Sequence, residues 1–167
     1  MALFNGTYVQ NFDAKGRVSI PASFRVALRA GAVSLNGVDE GPVSIPLVLR
    51  PSDKSQCIEA LTEKKHQDLV AELDKLDPLS DDYDALATVL FADAWTLETD
   101  KEGRVIIPDG LLAHAGISRG GTVPSAVAFV GMGTRFQLWN PENVAAHKAA
   151  QHAAHRARTT RPRDVAA

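Results

Sequence analysis

The amino-acid sequence predicts an α+β fold, rich in β-structure, that is built from two copies of one unit. Residues 13–21 read DAKGRVSIP, and residues 100–108 read DKEGRVIIP, 87 positions later. Each copy follows an alternating apolar stretch and precedes a short helical pattern, two further strand-like stretches and another helix. Two such copies within 167 residues indicate an internal duplication.

Each copy of the motif predicts a tight turn that leads into a strand. Asp and Gly within a polar segment favour a backbone reversal. In the first copy Val18 and Ile20 then alternate with polar residues, as is typical of a half-buried strand. A proline closes the strand and suits the first position of a helix. The residues expected to shape the turns are Asp13, Gly16, Pro21, Asp100, Gly103 and Pro108.

Apolar spacing and turn residues predict the remaining elements. In the first half we expect strands over residues 7–12, 17–20, 43–49 and 57–60, and helices over residues 22–30 and 62–78. In the second half we expect strands over residues 94–97, 104–107, 127–130 and 135–139, and helices over residues 108–115 and from 141 onward. The strand over residues 7–12 is expected to pair with residues 17–20 as a hairpin. Thr62, Ser80 and Asn140 are the expected helix caps.

These elements divide the chain into four parts. The first half covers residues 4–78 and the second covers residues 93–150, with a linking helix over residues 79–92 between them. Residues 151–167 are rich in Arg, Thr, Pro and Ala, so we expect a basic, disordered tail.

The formal net charge of −2 conceals a strong segregation of charge. Residues 59–102 hold thirteen acids and four lysines, whereas residues 147–163 hold five Lys and Arg residues and no acid. Residues 12–30 carry four cations against Asp13 alone. Local charge governs electrostatic steering, so a polyanionic partner is compatible with this composition.

Other features restrict the class of protein further. Cys57 is the single cysteine, so no intrachain disulfide or cysteine-based zinc cluster is expected. The uncharged stretch over residues 120–134 is interrupted by Gly and Pro, which argues against a membrane span. The N-terminal residues lack the pattern of a signal peptide, so a cytoplasmic location is expected.

The sequence resembles the MraZ family of bacterial transcription regulators, which consist of two tandem AbrB-type, swapped-hairpin halves. The resemblance runs from about residue 4 to residue 150 and rests on both motif copies, on Arg25 nine residues after Gly16, on FNGTYVQNFDAKGRVSIPASFR and on VGMGTRFQLW. It implies a duplicated AbrB-like swapped-hairpin fold, also called a double-split β-barrel, with flanking helices. No enzymatic activity, cofactor or metal is implied.

The resemblance also implies partners. Members bind double-stranded promoter DNA at repeated short boxes, typically upstream of a division and cell-wall gene cluster, and act there as repressors. They assemble into closed homo-oligomeric rings, octamers or dodecamers, in the cytoplasm in association with the nucleoid, without a membrane partner.

The candidates for DNA contact are Lys15, Arg17, Arg25, Lys101 and Arg104. The planar fork of an arginine can bind a phosphate or a guanine edge bidentately, whereas Lys15 is expected to contact phosphate. Alternatively, each arginine pairs with the Asp four residues earlier and braces its turn. Glu102 and Leu112 stand where the first copy has Lys15 and Arg25, so we expect unequal contact by the two halves.

Competing interpretations start from other residues. An enzyme is disfavoured because the sequence has no nucleophile elbow, phosphate loop or paired metal spacing. An antitoxin-like AbrB module that binds a partner protein is the alternative function. His147, His152 and His155 do not stack on one helical face, so a solvated helix is favoured over a metal site. The basic tail is expected to add a modest, sequence-independent contact with DNA.

Overall fold

The computed structural model describes residues 3–33, 44–120 and 125–160, and within these ranges it has an α+β architecture. The strands are β1 (Thr7–Asn11), β2 (Val18–Ser19), β3 (Pro46–Pro51), β4 (Ile58–Leu61), β5 (Trp95–Glu98), β6 (Arg104–Val105), β7 (Ala126–Gly131) and β8 (Phe136–Trp139). The helices are α1 (Ala22–Ala30), α2 (Glu63–Leu73), α3 (Asp81–Ala87), α4 (Asp109–Ala115) and α5 (Pro141–Thr159). A π-helical turn, Thr88–Ala92, continues α3.

The two halves of the chain contribute strands to one antiparallel sheet. The order of its strands is β1-β7-β8-β4-β3-β5. Strands β4 and β3, which precede the linking helix in the chain, therefore lie between β8 and β5, which follow it. The first half meets the second where β1 pairs with β7, where β4 pairs with β8 and where β3 pairs with β5. The sheet ends at β1 and β5 without joining them, so the described strands do not close into a barrel.

The predicted hairpin between residues 7–12 and 17–20 is wrong. Tyr8 of β1 lies opposite Phe129 of β7, and Val18 of β2 lies opposite Val105 of β6. The two motif copies therefore pair with each other in a separate two-stranded sheet. Pairing the copies places their alternate apolar residues in the common core, and this burial is unavailable to an isolated hairpin.

Side chains alternate between the two faces of the six-stranded sheet. The inner face, which carries Val127 and Phe129, packs against β2, β6, α1 and α4 in the main core. Four phenylalanines, with ring centroids 4.9–6.4 Å apart in the contacting pairs, lie at its centre: Phe4, Phe24, Phe129 and Phe136. The outer face, which carries Ala128 and Trp139, forms a second apolar cluster with Val144 of α5.

The predicted helix caps are confirmed, and two helix ends differ from expectation. Thr62, Ser80 and Asn140 each accept a hydrogen bond from a backbone N–H in the first turn of a helix. Helix α2 ends at Leu73, five residues before the predicted stop at Pro78. Helix α5 continues to Thr159, so the prediction of disorder is wrong for residues 151–159.

The alanines of α5 explain its length, because alanine has the highest helix propensity.

Some predictions concern residues outside the described ranges. These are residues 161–167 of the predicted tail, most of the predicted loop over residues 31–41, and position 43 of a predicted strand. Among the helices that are described, none combines the length and the apolar character that a membrane crossing requires.

Candidate nucleic-acid interface

The first motif copy forms a turn that is held together by the carboxylate of Asp13. Its Oδ1 accepts hydrogen bonds from the backbone N–H groups of Lys15 at 3.0 Å and Arg17 at 2.8 Å. Its Oδ2 accepts a third from Nε of Arg17 at 2.8 Å. One carboxylate thus fixes both the backbone of the turn and the direction of the arginine.

The second copy has the same bonds at nearly the same lengths. Oδ1 of Asp100 accepts from the backbone N–H groups of Glu102 at 3.0 Å and Arg104 at 2.8 Å. Oδ2 accepts from Nε of Arg104 at 2.8 Å. We call residues 13–17 and 100–104 the paired turns, because Nη1 of Arg17 also lies 4.0 Å from Oδ2 of Asp100.

Each turn requires glycine for two reasons. Gly16 and Gly103 have φ angles of 78° and 80°, which side chains other than hydrogen disfavour. A Cβ atom on Gly16 would lie 2.6 Å from Cδ of Arg119, and one on Gly103 would lie 2.3 Å from Cδ of Arg25. Both turns are therefore covered closely by an arginine side chain from outside the turn.

These covering arginines correct one step of the sequence argument. The sequence pattern groups Arg25 with Lys15 at the first turn, but Arg25 lies against the second turn, where its Nη1 donates to the carbonyl of Glu102 at 3.1 Å. Arg119 takes the corresponding place at the first turn. The asymmetry between the turns therefore rests on Lys15 against Glu102, and it is partly offset by Lys101, which stands where the first turn has Ala14.

Arg119 was missed because the repeat carries no signal for it. The residue 87 positions earlier is Ala32, and only the packing of the turn against the segment after α4 reveals the role. Its guanidinium donates to the carbonyl of Ile107, lies 3.2 Å from a carboxylate oxygen of Asp109 and stands 5.9 Å above the ring of Phe12. Through these contacts Arg119 is held against the first turn and acts as a structural support for it.

Hydrogen bonding keeps both turn carboxylates ionised. The pKa of Asp13 is held below its ordinary value of 3.8, chiefly by the backbone N–H of Arg17. At Asp100 desolvation raises the pKa, but the backbone and side-chain hydrogen bonds of Arg104 outweigh it, and the net shift is downward. The hydrogen bond to Asp100 in turn raises the pKa of Arg104. The charge pairs that brace the turns thus persist throughout the neutral pH range.

The outer nitrogens of the two arginines meet different surroundings. Nη2 of Arg104 donates to a carboxylate oxygen of Glu102 at 3.0 Å. The first turn has the exposed Lys15 at the corresponding position, which adds a positive charge beside Arg17. The side chain of Arg17 is 25% exposed, and that of Arg104 is 29% exposed. The first turn therefore presents more positive charge.

Two further candidates lie together beside the second turn. Arg25 and Lys101 line a cleft of about 530 Å³ that Arg29 also borders. The sequence-predicted residues thus form one continuous region at the paired turns. Helix α5 lies elsewhere, because its anchor Val144 packs on the outer face of the sheet, opposite β2 and β6. In the described part of the chain, no cluster of three or more His, Cys, Asp or Glu residues could hold a metal ion.

The fold and the paired turns define an α+β protein in which two copies of one sequence motif present aspartate-braced arginines side by side. Comparison with known proteins gives the family. A family model described as "MraZ protein, putative antitoxin-like" matches residues 3–40 and 90–162. The chain belongs to the MraZ family, so the resemblance seen in the sequence is confirmed.

Curated relatives match over most of their lengths, and three are representative. The transcriptional regulator MraZ of Gluconobacter oxydans is 45% identical, with 95% of this chain and 87% of the relative aligned. The protein of the same name from Gluconacetobacter diazotrophicus is 43% identical, over 84% of this chain and 80% of the relative. That of Rickettsia akari is 38% identical, over 96% and 97% respectively.

Proposed function

We propose that this protein is a transcription regulator that binds promoter DNA through the paired turns. The observation that carries the proposal is the repeated geometry in which Asp13 and Asp100 each hold an arginine by Nε at 2.8 Å. The name transcriptional regulator, which the relatives carry, agrees with a binding function without catalysis.

Bracing and DNA contact, which the sequence left as alternatives, are compatible in this geometry. The guanidinium of Arg17, which is held through Nε, still has two terminal nitrogens that can bind a guanine edge or a phosphate, whereas at Arg104 one of them already donates to Glu102. Because the carboxylate already orders the side chain, binding costs less conformational entropy. Lys15 and Lys101, both exposed, would contact phosphates and set the position of the protein on the duplex.

The finer proposal concerns assembly and target. We propose a swapped-hairpin arrangement of the two halves, which the pairing of β2 with β6 and the shared sheet support. We further propose a closed homo-oligomeric ring, an octamer or dodecamer, that occupies repeated boxes in the promoter of a division and cell-wall gene cluster and represses transcription. Exposed apolar side chains at both sheet edges, Val9 on β1 and Trp95 on β5, support assembly. The protein would act in the cytoplasm, at the nucleoid.

Fluorescence anisotropy tests the function directly. The full-length protein is titrated into a labelled duplex of the promoter region that carries the repeated boxes. It is also titrated into a duplex of the same composition in which the sequence of the boxes is scrambled. We expect an affinity about a thousandfold or more higher for the intact boxes. Equal affinity for the two duplexes would refute sequence-specific regulation and favour the alternative function, an antitoxin-like module that binds a partner protein; the family description contains the words antitoxin-like.

The two turns should contribute unequally. Arg104→Ala is expected to weaken promoter binding by roughly tenfold, less than Arg17→Ala does, because Glu102 already engages Nη2 of Arg104. Titration of both variants against the same duplex measures the difference. A second variant, Glu102→Lys, places a lysine where the first turn has Lys15 and should strengthen binding. Equal weakening by the two arginine variants would show that Glu102 does not reduce the contribution of its turn.

The basic end of α5 should not contribute to DNA affinity, contrary to the expectation from charge alone. The helix lies on the outer face of the sheet, whereas the paired turns belong to the β2 and β6 layer on the inner face. Replacement of both Arg156 and Arg158 by Gln should therefore leave the slope of log affinity against log salt unchanged. Removal of one phosphate from the interface would change that slope by about 0.9. A flatter slope for the double variant would place this end of α5 on DNA.

A further inference from the structure

A cationic cleft lies on the outer face of the sheet, beneath α5. Its volume is about 680 Å³, and its walls come from the start of β1, the β3–β4 turn, the β7–β8 turn and α5. Val130, Gly131 and Met132 provide an apolar part of the lining. The basic side chains that line this α5 cleft are Lys54, Arg135, His147, Lys148, His152 and Arg158.

The position of α5 above the cleft is fixed near its N-terminus. Val144 is buried in the outer apolar cluster, and the ring of His147 stacks on Trp139 with centroids 4.1 Å apart. One residue later, Nζ of Lys148 donates to Oγ1 of Thr7 at 2.6 Å. The rest of the helix is mostly exposed, and Arg158 borders the cleft from that part. The cleft is therefore a structured recess, and the wall that α5 provides is held in place by the N-terminal part of that helix.

The charge of the cleft is incompletely balanced. Glu59 is the single carboxylate among its described lining residues, and its side chain is almost fully buried. Its Oε2 accepts from Nε of Arg135 and its Oε1 from Nε2 of Gln137, each at 2.9 Å. Glu59 thus neutralises Arg135, whereas three other lining cations have no carboxylate partner among the described residues of the cleft: Lys54, Lys148 and Arg158.

We propose that the α5 cleft binds a small polyphosphate-bearing molecule of nucleotide size. The volume lies within the range of small-molecule sites, and several cations converge on it from separate elements. Charge-assisted hydrogen bonds from Lys and Arg are the contacts that phosphate groups favour. The apolar lining around Met132 suits the uncharged part of such a ligand. Since the paired turns lie on the other face, the ligand and DNA can be bound together.

Tryptophan fluorescence can measure this binding on the full-length protein. Trp139 lies under His147 beside the cleft, whereas the half-exposed Trp95 lies on β5 away from the cleft and is kept as a constant background signal. Titration with pyrophosphate, and separately with ATP, should give a saturable change with a dissociation constant below about 1 mM. Arg158→Gln and Lys148→Gln should each weaken binding by about tenfold.

Arg156→Gln is the matched control, because it removes the same charge from the same helix at a position that does not line the cleft. It should change the affinity by less than about twofold. The proposal is overturned by the absence of saturation at about 10 mM of either probe. Equal weakening by the Arg156 variant would also overturn it, as would displacement of pyrophosphate by duplex DNA together with weaker DNA binding by Arg158→Gln. That last outcome would assign the cleft to the nucleic-acid backbone.

Discussion

Arg17→Ala should abolish promoter binding while the protein remains folded and assembled. One arginine that reads a base edge accounts for roughly 5- to 150-fold in affinity. If several subunits of one assembly contact one promoter, the individual factors multiply, so a decrease well beyond a hundredfold is expected. Anisotropy with the intact-box duplex measures the affinity, and size-exclusion chromatography measures the assembly.

Two further variants make this result specific to the paired turns. Arg156→Ala removes an equal charge from the outer face and should leave promoter binding unchanged. Arg17→Lys keeps the charge but removes the planar fork, so it should bind the intact and scrambled duplexes with more similar affinities. Full promoter affinity in a correctly assembled Arg17→Ala protein would remove the first turn from the DNA interface.

Phe24→Ala should have the largest effect on stability. Phe24 is 1% exposed, and its ring contacts those of Phe4, Phe129 and Phe136 at the centre of the inner-face core. Truncation of a buried phenylalanine costs about 3–5 kcal/mol in the free energy of unfolding, since it removes apolar burial and leaves a cavity. Urea denaturation at a fixed protein concentration measures the decrease.

Val26→Ala serves as the control on the same helix. Its side chain is 66% exposed, and we expect a change within about 0.5 kcal/mol. If the two substitutions shifted the urea midpoint equally, the aromatic cluster would not be the centre of the core.

The sequence predicted the local elements better than their pairing. The caps at Thr62, Ser80 and Asn140 could be predicted because each depends on a local hydrogen bond. The side chain accepts from a backbone N–H only two or three residues away. The pairing of β1 with β7 could not be predicted. The alternation of apolar and polar residues shows which face of a strand is buried but does not identify the neighbouring strand. The first copy was expected to form a hairpin with residues 7–12, although the two copies in fact pair with each other.

The same limit applies to the site. Each arginine and its aspartate lie four residues apart, so their contact could be foreseen from spacing. The placement of Arg25 against Gly103 joins residues 78 positions apart and depends on how α1 packs, which no local pattern encodes. Arg119 was invisible for the same reason. Its side chain has no counterpart in the repeat, and its function as a brace arises from the packed structure.

The interleaved order of the sheet has a consequence for biosynthesis. Tyr8 must find Phe129, which lies 121 residues further along the chain, before β1 gains its partner. At typical rates of translation, about 5–20 residues per second, β1 waits roughly 6 to 24 s for β7 to be made. The N-terminal half therefore leaves the ribosome with unpaired strand edges, and its folding must await the C-terminal half. Long-range pairing of this kind slows folding, so shielding by chaperones should increase the yield of the native protein more than it would for two independent domains.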